Sequence, residues 1–86
     1  MTKVYVVMEE AEMYEEDRLL FADTDLEKSF EVVKKRRLPE DCYVEVWESG
    51  RAQGRYFWDR GYEDFRFYKR INESTFVPDE RDWTKK

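Results

Sequence analysis

The sequence predicts an α+β domain: a small antiparallel or mixed sheet of about five strands, in the chain order β-β-α-β-β-β, with one helix packed on one face. Three observations lead there. The segments VYVVM (Val4 to Met8) and CYVEVWES (Cys42 to Ser49) are rich in β-branched and aromatic residues with a two-residue period. One stretch, Leu26 to Leu38, carries the helical period between a start and a stop signal. Glycines 50, 54 and 61 then punctuate a run of aromatic segments where turns need positive φ.

Taken in order, Lys3 to Glu10 reads as a strand, with Val4, Val6 and Met8 on one face and Tyr5 and Val7 on the other. An acidic connector over 9–17 leads to a short second strand, Arg18 to Ala22, paired antiparallel to the first. Thr24-Asp25-Leu26-Glu27 is a capping box, in which the Thr24 hydroxyl accepts from the Glu27 amide and Glu27 reaches back. Leu26, Phe30 and Val33 recur on one helical face, with Val32 and Leu38 flanking them, and Pro39 stops the helix. Lys34 to Arg37 complement the negative end of the helix dipole. Cys42 to Ser49 forms the next strand, followed by a loop over 50–54, a strand from Arg55 to Asp59, a turn over 60–63 and a strand from Asp64 to Ile71. Residues 1–71 make the domain. Residues 72–86 are a tail pinned by Phe76 and Trp83, with one helical turn over 78–82.

Eighty-six residues hold one core and no second one. Six Tyr, six Phe and three Trp supply enough apolar surface for that core without disulfide or metal, and they argue against disorder despite 43% charged residues. Cys42 is the single cysteine, so no internal disulfide forms and a reducing cytoplasm is expected, that of the host cell if the chain is phage-encoded. The apolar run from Val4 to Met8 is too short for a signal peptide or a membrane span, so no membrane association is expected.

Catalytic chemistry is hard to place. Histidine is absent, which removes the commonest general base and metal ligand and every Ser/His or Cys/His arrangement. Neither a P-loop nor a dinucleotide-binding glycine pattern occurs. Glu45 and Asp59 are the sort of carboxylate pair that could act as acid and base, but 21 acids in the chain make chance pairs unavoidable. The acidic run lacks the spacing and glycine of an EF-hand. Cys42 follows Glu40 and Asp41, whose charge would quiet its thiol, and reads as a core residue. The expectation is therefore no enzyme, no cofactor and no metal.

Binding surfaces remain. The net charge of −5 is unevenly spread: residues 1–33 hold ten acids against three bases, while the second half carries most of the arginines. Glu9, Glu10, Glu12, Glu15, Glu16 and Asp17 are expected to engage a basic surface on a protein partner, one that handles nucleic acid being a natural candidate. Tyr5, Tyr43, Trp47, Tyr56 and Trp58 are expected to project together from the sheet face away from the helix, the composition that interfaces favour. An equally open reading has that face covered by connector and tail residues (Met13, Tyr14, Phe76, Trp83). Arg51, Arg55, Arg60, Arg66, Lys69 and Arg70 lie among Tyr56, Trp58, Phe65, Phe67 and Tyr68, as a single-stranded nucleic-acid platform would have them. A pI near 4.8 weighs against that use.

The resulting expectation is a small non-enzymatic protein-binding module of the inhibitor, immunity or anti-defence type. In style, though in no motif, it is similar to accessory proteins of phages and bacterial mobile elements. The alternatives are a single-stranded nucleic-acid binder using the aromatic and arginine face, and a structural subunit that buries its aromatic face in a homodimer.

Overall fold

A computed structural model of the chain describes residues 2–11, 16–72 and 75–79. Its strands are β1 (Lys3–Glu9), β2 (Arg18–Asp23), β3 (Cys42–Glu48), β4 (Arg51–Asp59), β5 (Asp64–Asn72) and β6 (Thr75–Pro78), with one helix, α1 (Leu26–Lys34), between β2 and β3. They form a single antiparallel sheet in the order β2-β1-β3-β4-β5-β6, and α1 packs on one side of it. β1, first in the chain, therefore lies inside the sheet. β2 and β3 flank it and run parallel to each other, and α1 makes the crossover between them. The remaining strands follow as a meander.

Directly opposite residues share a face, so the register sorts every side chain. Tyr5 pairs with Val46 and Val7 with Val44; Val44 pairs with Tyr56, and Tyr56 with Phe67. These residues line the helix side. Val7, Val33, Cys42 and Val44 are at most 1% exposed and form the centre of the core, with Leu20, Phe21, Leu26, Phe30 and Phe65 around them. Burying each aliphatic side chain here stabilises the fold by roughly 2 kcal/mol. A nine-residue helix is short for a six-stranded sheet. Phe30 extends its reach: the ring stacks on Phe65 of β5 at 3.9 Å between centroids and meets Tyr56 of β4 edge-on at 5.2 Å. Ser29 is fully buried where α1 meets the sheet, its hydroxyl donating to the Asp25 carbonyl at 3.2 Å.

Several local expectations are corrected. The N-cap is Asp25, whose carboxylate accepts from the Lys28 amide, and not Thr24. The Thr24 amide that Glu27 would have reached is already held by Asp23 Oδ1 at 2.6 Å, and aspartate is the stronger cap. The helix ends at Lys34, with Lys35 as its C-cap, so Leu38 falls outside the stripe and is half exposed. The residue before a proline avoids helical backbone, which leaves Leu38 non-helical (φ −126°, ψ 82°) and Pro39 free to start a short 3-10 turn to Asp41.

The expected loop over 50–54 is mostly strand. Ser49 (φ 55°) and Gly50 (φ 75°) alone make the β3–β4 turn, the two left-handed residues of a tight hairpin. β4 begins at Arg51, and a bulge at Gln53 restores the register, since Trp47 pairs with Ala52 but Val46 with Gly54. The Gln53 amide donates to the Glu48 and Arg51 carbonyls. The tail begins as structure too: Thr75–Pro78 is a sixth strand on β5. Pro78 ends it, and Trp83 and the rest of the expected helical turn lie outside the described residues.

Gly54 is the one glycine enforced by packing. A Cβ there would lie 2.5 Å from both Phe67 Cζ and the Tyr68 carbonyl oxygen. Gly54→Ala is expected to cost about 2–3 kcal/mol through forced displacement of β5, read as a lowered urea midpoint with the slope unchanged; an unaltered midpoint would contradict this packing.

Candidate interaction face

The sheet side away from α1 is built by the other parity. β1 contributes Val4, Val6 and Met8, β2 contributes Leu19 and Ala22, and β3 contributes Tyr43, Glu45 and Trp47, because Val4 pairs with Trp47, Val6 with Glu45 and Ala22, and Met8 with Tyr43 and Leu19. Further along lie Arg55 and Phe57 of β4, Arg66, Tyr68 and Arg70 of β5, and Phe76 of β6.

This face has two halves of different character. Over β4–β6 it is closed by its own side chains. The Arg55 guanidinium lies between the Tyr43 and Phe76 rings, 4.3 Å from each centroid, and its Nε donates to Glu45 Oε2 at 2.9 Å. Phe57 packs against both Tyr43 and Tyr68. A cation held between two rings and paired with a half-buried carboxylate is well satisfied, and it fills the centre of the face. Arg66, only 12% exposed at its side chain, donates to Asp59 at 2.8 Å and lies over Tyr62. A shallow recess of about 280 Å³ remains beside it, near Phe57, Arg60 and Gly61.

Over β2, β1 and β3 the face is apolar and open. Val4 is 37% exposed, Trp47 36% and Leu19 60%, so three of the six exposed large hydrophobics among the described residues fall in this one area, with Ala22 exposed beside them. The Trp47 indole donates to Glu45 Oε1 at 2.9 Å. Its polar edge is thereby satisfied within the protein, and its ring is fixed. The Glu45 carboxylate joins Trp47 on one oxygen to Arg55 on the other.

Two members of the expected aromatic face belong to it, Tyr43 and Trp47; the other three do not. Tyr5 pairs with Val46 and Tyr56 with Val44 on the helix side, and Trp58 pairs with Phe65 there. The physical reason is parity: Arg55 and Phe57 share a side, and a charged Arg55 belongs away from the core. Tyr43 is only 3% exposed, covered by Arg55 and tied by its hydroxyl to Asp17 at 2.5 Å, so of the two it is Trp47 that contact can reach. Tyr5 and Tyr56 instead line an open cleft of about 400 Å³ on the helix side, together with Lys3, Glu48 and Lys69. The open-face residues Val4, Val6, Met8, Leu19 and Ala22 were missed because β1 is apolar at both parities and offers no polar residue to mark its outer side.

The acidic run divides similarly. Glu9 is spent inside the fold, on Arg18 at 2.6 Å and Arg36 at 3.1 Å, and the Arg36 and Arg18 hydrogen bonds hold its carboxyl below the usual range. Asp17 accepts from the Tyr43 hydroxyl and from the Ala11 amide, which lower its pKa in that order. Glu10 and Glu16 are exposed, and Glu12 and Glu15 lie outside the described residues. Of the basic set, Arg55, Arg60, Arg66 and Arg70 each contact a carboxylate or backbone carbonyl, while Arg51 and Lys69 are exposed.

Burial, and then the Glu9 charge, push the Cys42 thiol up, which suits a core residue. Glu45 and Asp59 are each bound to an arginine, Arg55 and Arg66. Among the described residues no three acidic or thiol groups converge as a metal site would need, and no helix is long and apolar enough to cross a membrane. No family model matches the chain, and comparison with curated proteins and with solved structures gave no match.

The Tyr43–Asp17 bond makes a pH prediction. Burial, then the Asp17 carboxylate, raise the Tyr43 pKa, so its contribution to stability is complete below the ordinary phenol value of about 10 and is lost as pH climbs above it. Asp17 is lowered, so its contribution is present above the ordinary carboxylate range and fades as pH falls through the lowered value. Tyr43→Phe is expected to cost about 1 kcal/mol near neutral pH and to flatten the alkaline limb of a denaturant-measured stability profile. An unchanged alkaline limb would contradict the assignment.

Proposed function

We propose that the chain is a small non-enzymatic protein-binding module of the inhibitor, immunity or anti-defence type, working in the cytoplasm and docking on a basic protein surface. The observation that carries this reading is the open apolar area on β2, β1 and β3, with Trp47 fixed at its border by Glu45. Contiguous exposed hydrophobics on a small chain favour contact, and a preorganised tryptophan at the edge of such an area is the residue type that dominates binding energy.

Charge supports the sign of the partner. Glu10 and Glu16 are exposed on the connector next to the Met8–Leu19 end of this area, where Met8 and Leu19 pair and Asp17 holds the connector to Tyr43. A basic rim on the partner would meet them while its apolar centre covers Val4, Leu19 and Trp47. The single-stranded nucleic-acid reading has less support, because Tyr56 and Trp58 lie on the helix side while Arg55 and Arg66 are engaged on the other.

The immobilised chain is expected to retain a basic protein from a lysate of its source cell, releasing it as salt is raised. A Val4→Lys, Trp47→Ala bait, checked for folding by circular dichroism, should retain about a tenth as much or less. Equal retention by both baits, or recovery of nucleic acid in place of protein, would contradict the reading.

A further inference from the structure

The two edges of the sheet differ. β6 is four residues long and ends in Pro78, which has no amide hydrogen to offer a neighbour. β2 is six residues long, RLLFAD, with no proline, glycine or lysine, and no described element pairs with its outer edge. It also carries Leu19, the most exposed large hydrophobic of the described chain at 60%. An uncovered apolar edge of this kind is a template for another strand.

β2 is complementary to itself. Laid antiparallel against a second copy about a two-fold axis between Leu20 and Phe21, it sets Arg18 opposite Asp23, Leu19 opposite Ala22 and Leu20 opposite Phe21, each pair occurring twice. In a regular strand such an arrangement would match residues of opposite faces, because the paired positions differ by an odd number. The bulge in β2 removes that obstacle. It leaves Leu20 without a counterpart on β1, since Met8 pairs with Leu19 and Val7 with Phe21. Leu19 and Ala22 are consequently both on the outer face, opposite Met8 and Val6. Leu20 and Phe21 both pack toward the helix-side core, and Arg18 and Asp23 both lie on the helix side, opposite Glu9 and Tyr5.

A bulge often serves to turn an edge away from neighbours; here it brings every pair of the two-fold arrangement into facial agreement. The Arg18 side chain is 68% exposed, and with one terminal nitrogen held by Glu9 the rest of its guanidinium can reach across. Slipping the register by two residues in either direction would separate both charge pairs.

We propose that a second copy of this chain is the occupant of the β2 edge, forming a two-fold dimer with a continuous sheet. The inference is independent of the partner proposed for the apolar face, although pairing would join two such faces side by side across Leu19 and Ala22.

The test uses the full chain. Sedimentation from micromolar to millimolar concentration should show the mass rising from 10.7 kDa toward twice that value. Arg18→Glu sets like charges opposite Asp23 twice per dimer and should weaken association about tenfold. Adding Asp23→Lys should restore it to within about threefold of the original by the same pairing. Leu19→Cys combined with Ala22→Cys should give a covalent dimer on treatment with diamide, which takes up the two electrons and two protons of each thiol pair, whereas either cysteine alone should not. A monomer at every concentration, association indifferent to Arg18→Glu, or equal cross-linking of single and double variants would overturn the proposal.

Discussion

The register of β1 against β3 decides what this protein shows to its surroundings. With Tyr5 opposite Val46 and Val4 opposite Trp47, Tyr5 and Val7 go to the helix and Val4, Val6 and Met8 go outward. A slip of one residue would exchange the two sets, and the apolar run from Val4 to Met8 has little of its own to prevent it. Glu9 supplies the discrimination. It shares the parity of Val7 and holds Arg36 near the end of α1 and Arg18 on β2, so the opposite parity would put its charge where neither cation waits. Exposed ion pairs add little to stability. As a selector between two registers that bury similar apolar area, the pair of bridges matters more than its energy suggests. The Glu10 amide, donating to the Asp41 carbonyl at 2.8 Å, continues the same alignment past the strand end.

The aromatic residues then fall into two layers. On the helix side Phe30, Tyr56, Phe65 and Phe67 extend the core beyond the width of a short helix, with rings 3.9 to 5.2 Å apart. On the outer side Tyr43, Phe57, Tyr68 and Phe76 surround Arg55. The second layer needs no covering helix, because a guanidinium clamped between rings and paired with Glu45 presents a satisfied, partly polar roof. That economy leaves the β2–β1–β3 part of the outer face open and apolar, the part on which the binding proposal rests.

Much of this is legible in the sequence. The helix could be read because Leu26, Phe30 and Val33 repeat at helical spacing and acids and bases sit at the correct ends. The face of β3 could be read because Glu45 marks one parity. Tyr5, Tyr56 and Trp58 were placed on the wrong side because β1 and β4 have large apolar residues at both parities; in β4 only Arg55 betrays the answer, by sharing a side with Phe57. β6 escaped notice because TFVP is short and holds a proline, features of a tail as much as of an edge strand. The sequence suggests a five-residue β3–β4 loop because nothing in it announces Ser49 at positive φ or a bulge at Gln53. As for the acidic run, composition shows its charge but not that Glu9 and Asp17 are consumed by partners distant in sequence.

Thiol labelling of the native protein tests the parity of β1 most directly. Val4→Cys should react within the time of a free surface thiol, since Val4 is 37% exposed, while Val7→Cys, at a fully buried position, should react only on unfolding; native Cys42, 1% exposed, serves as the protected internal reference. Rapid labelling at position 7 with protection at position 4 would reverse the two faces of the sheet and contradict the account.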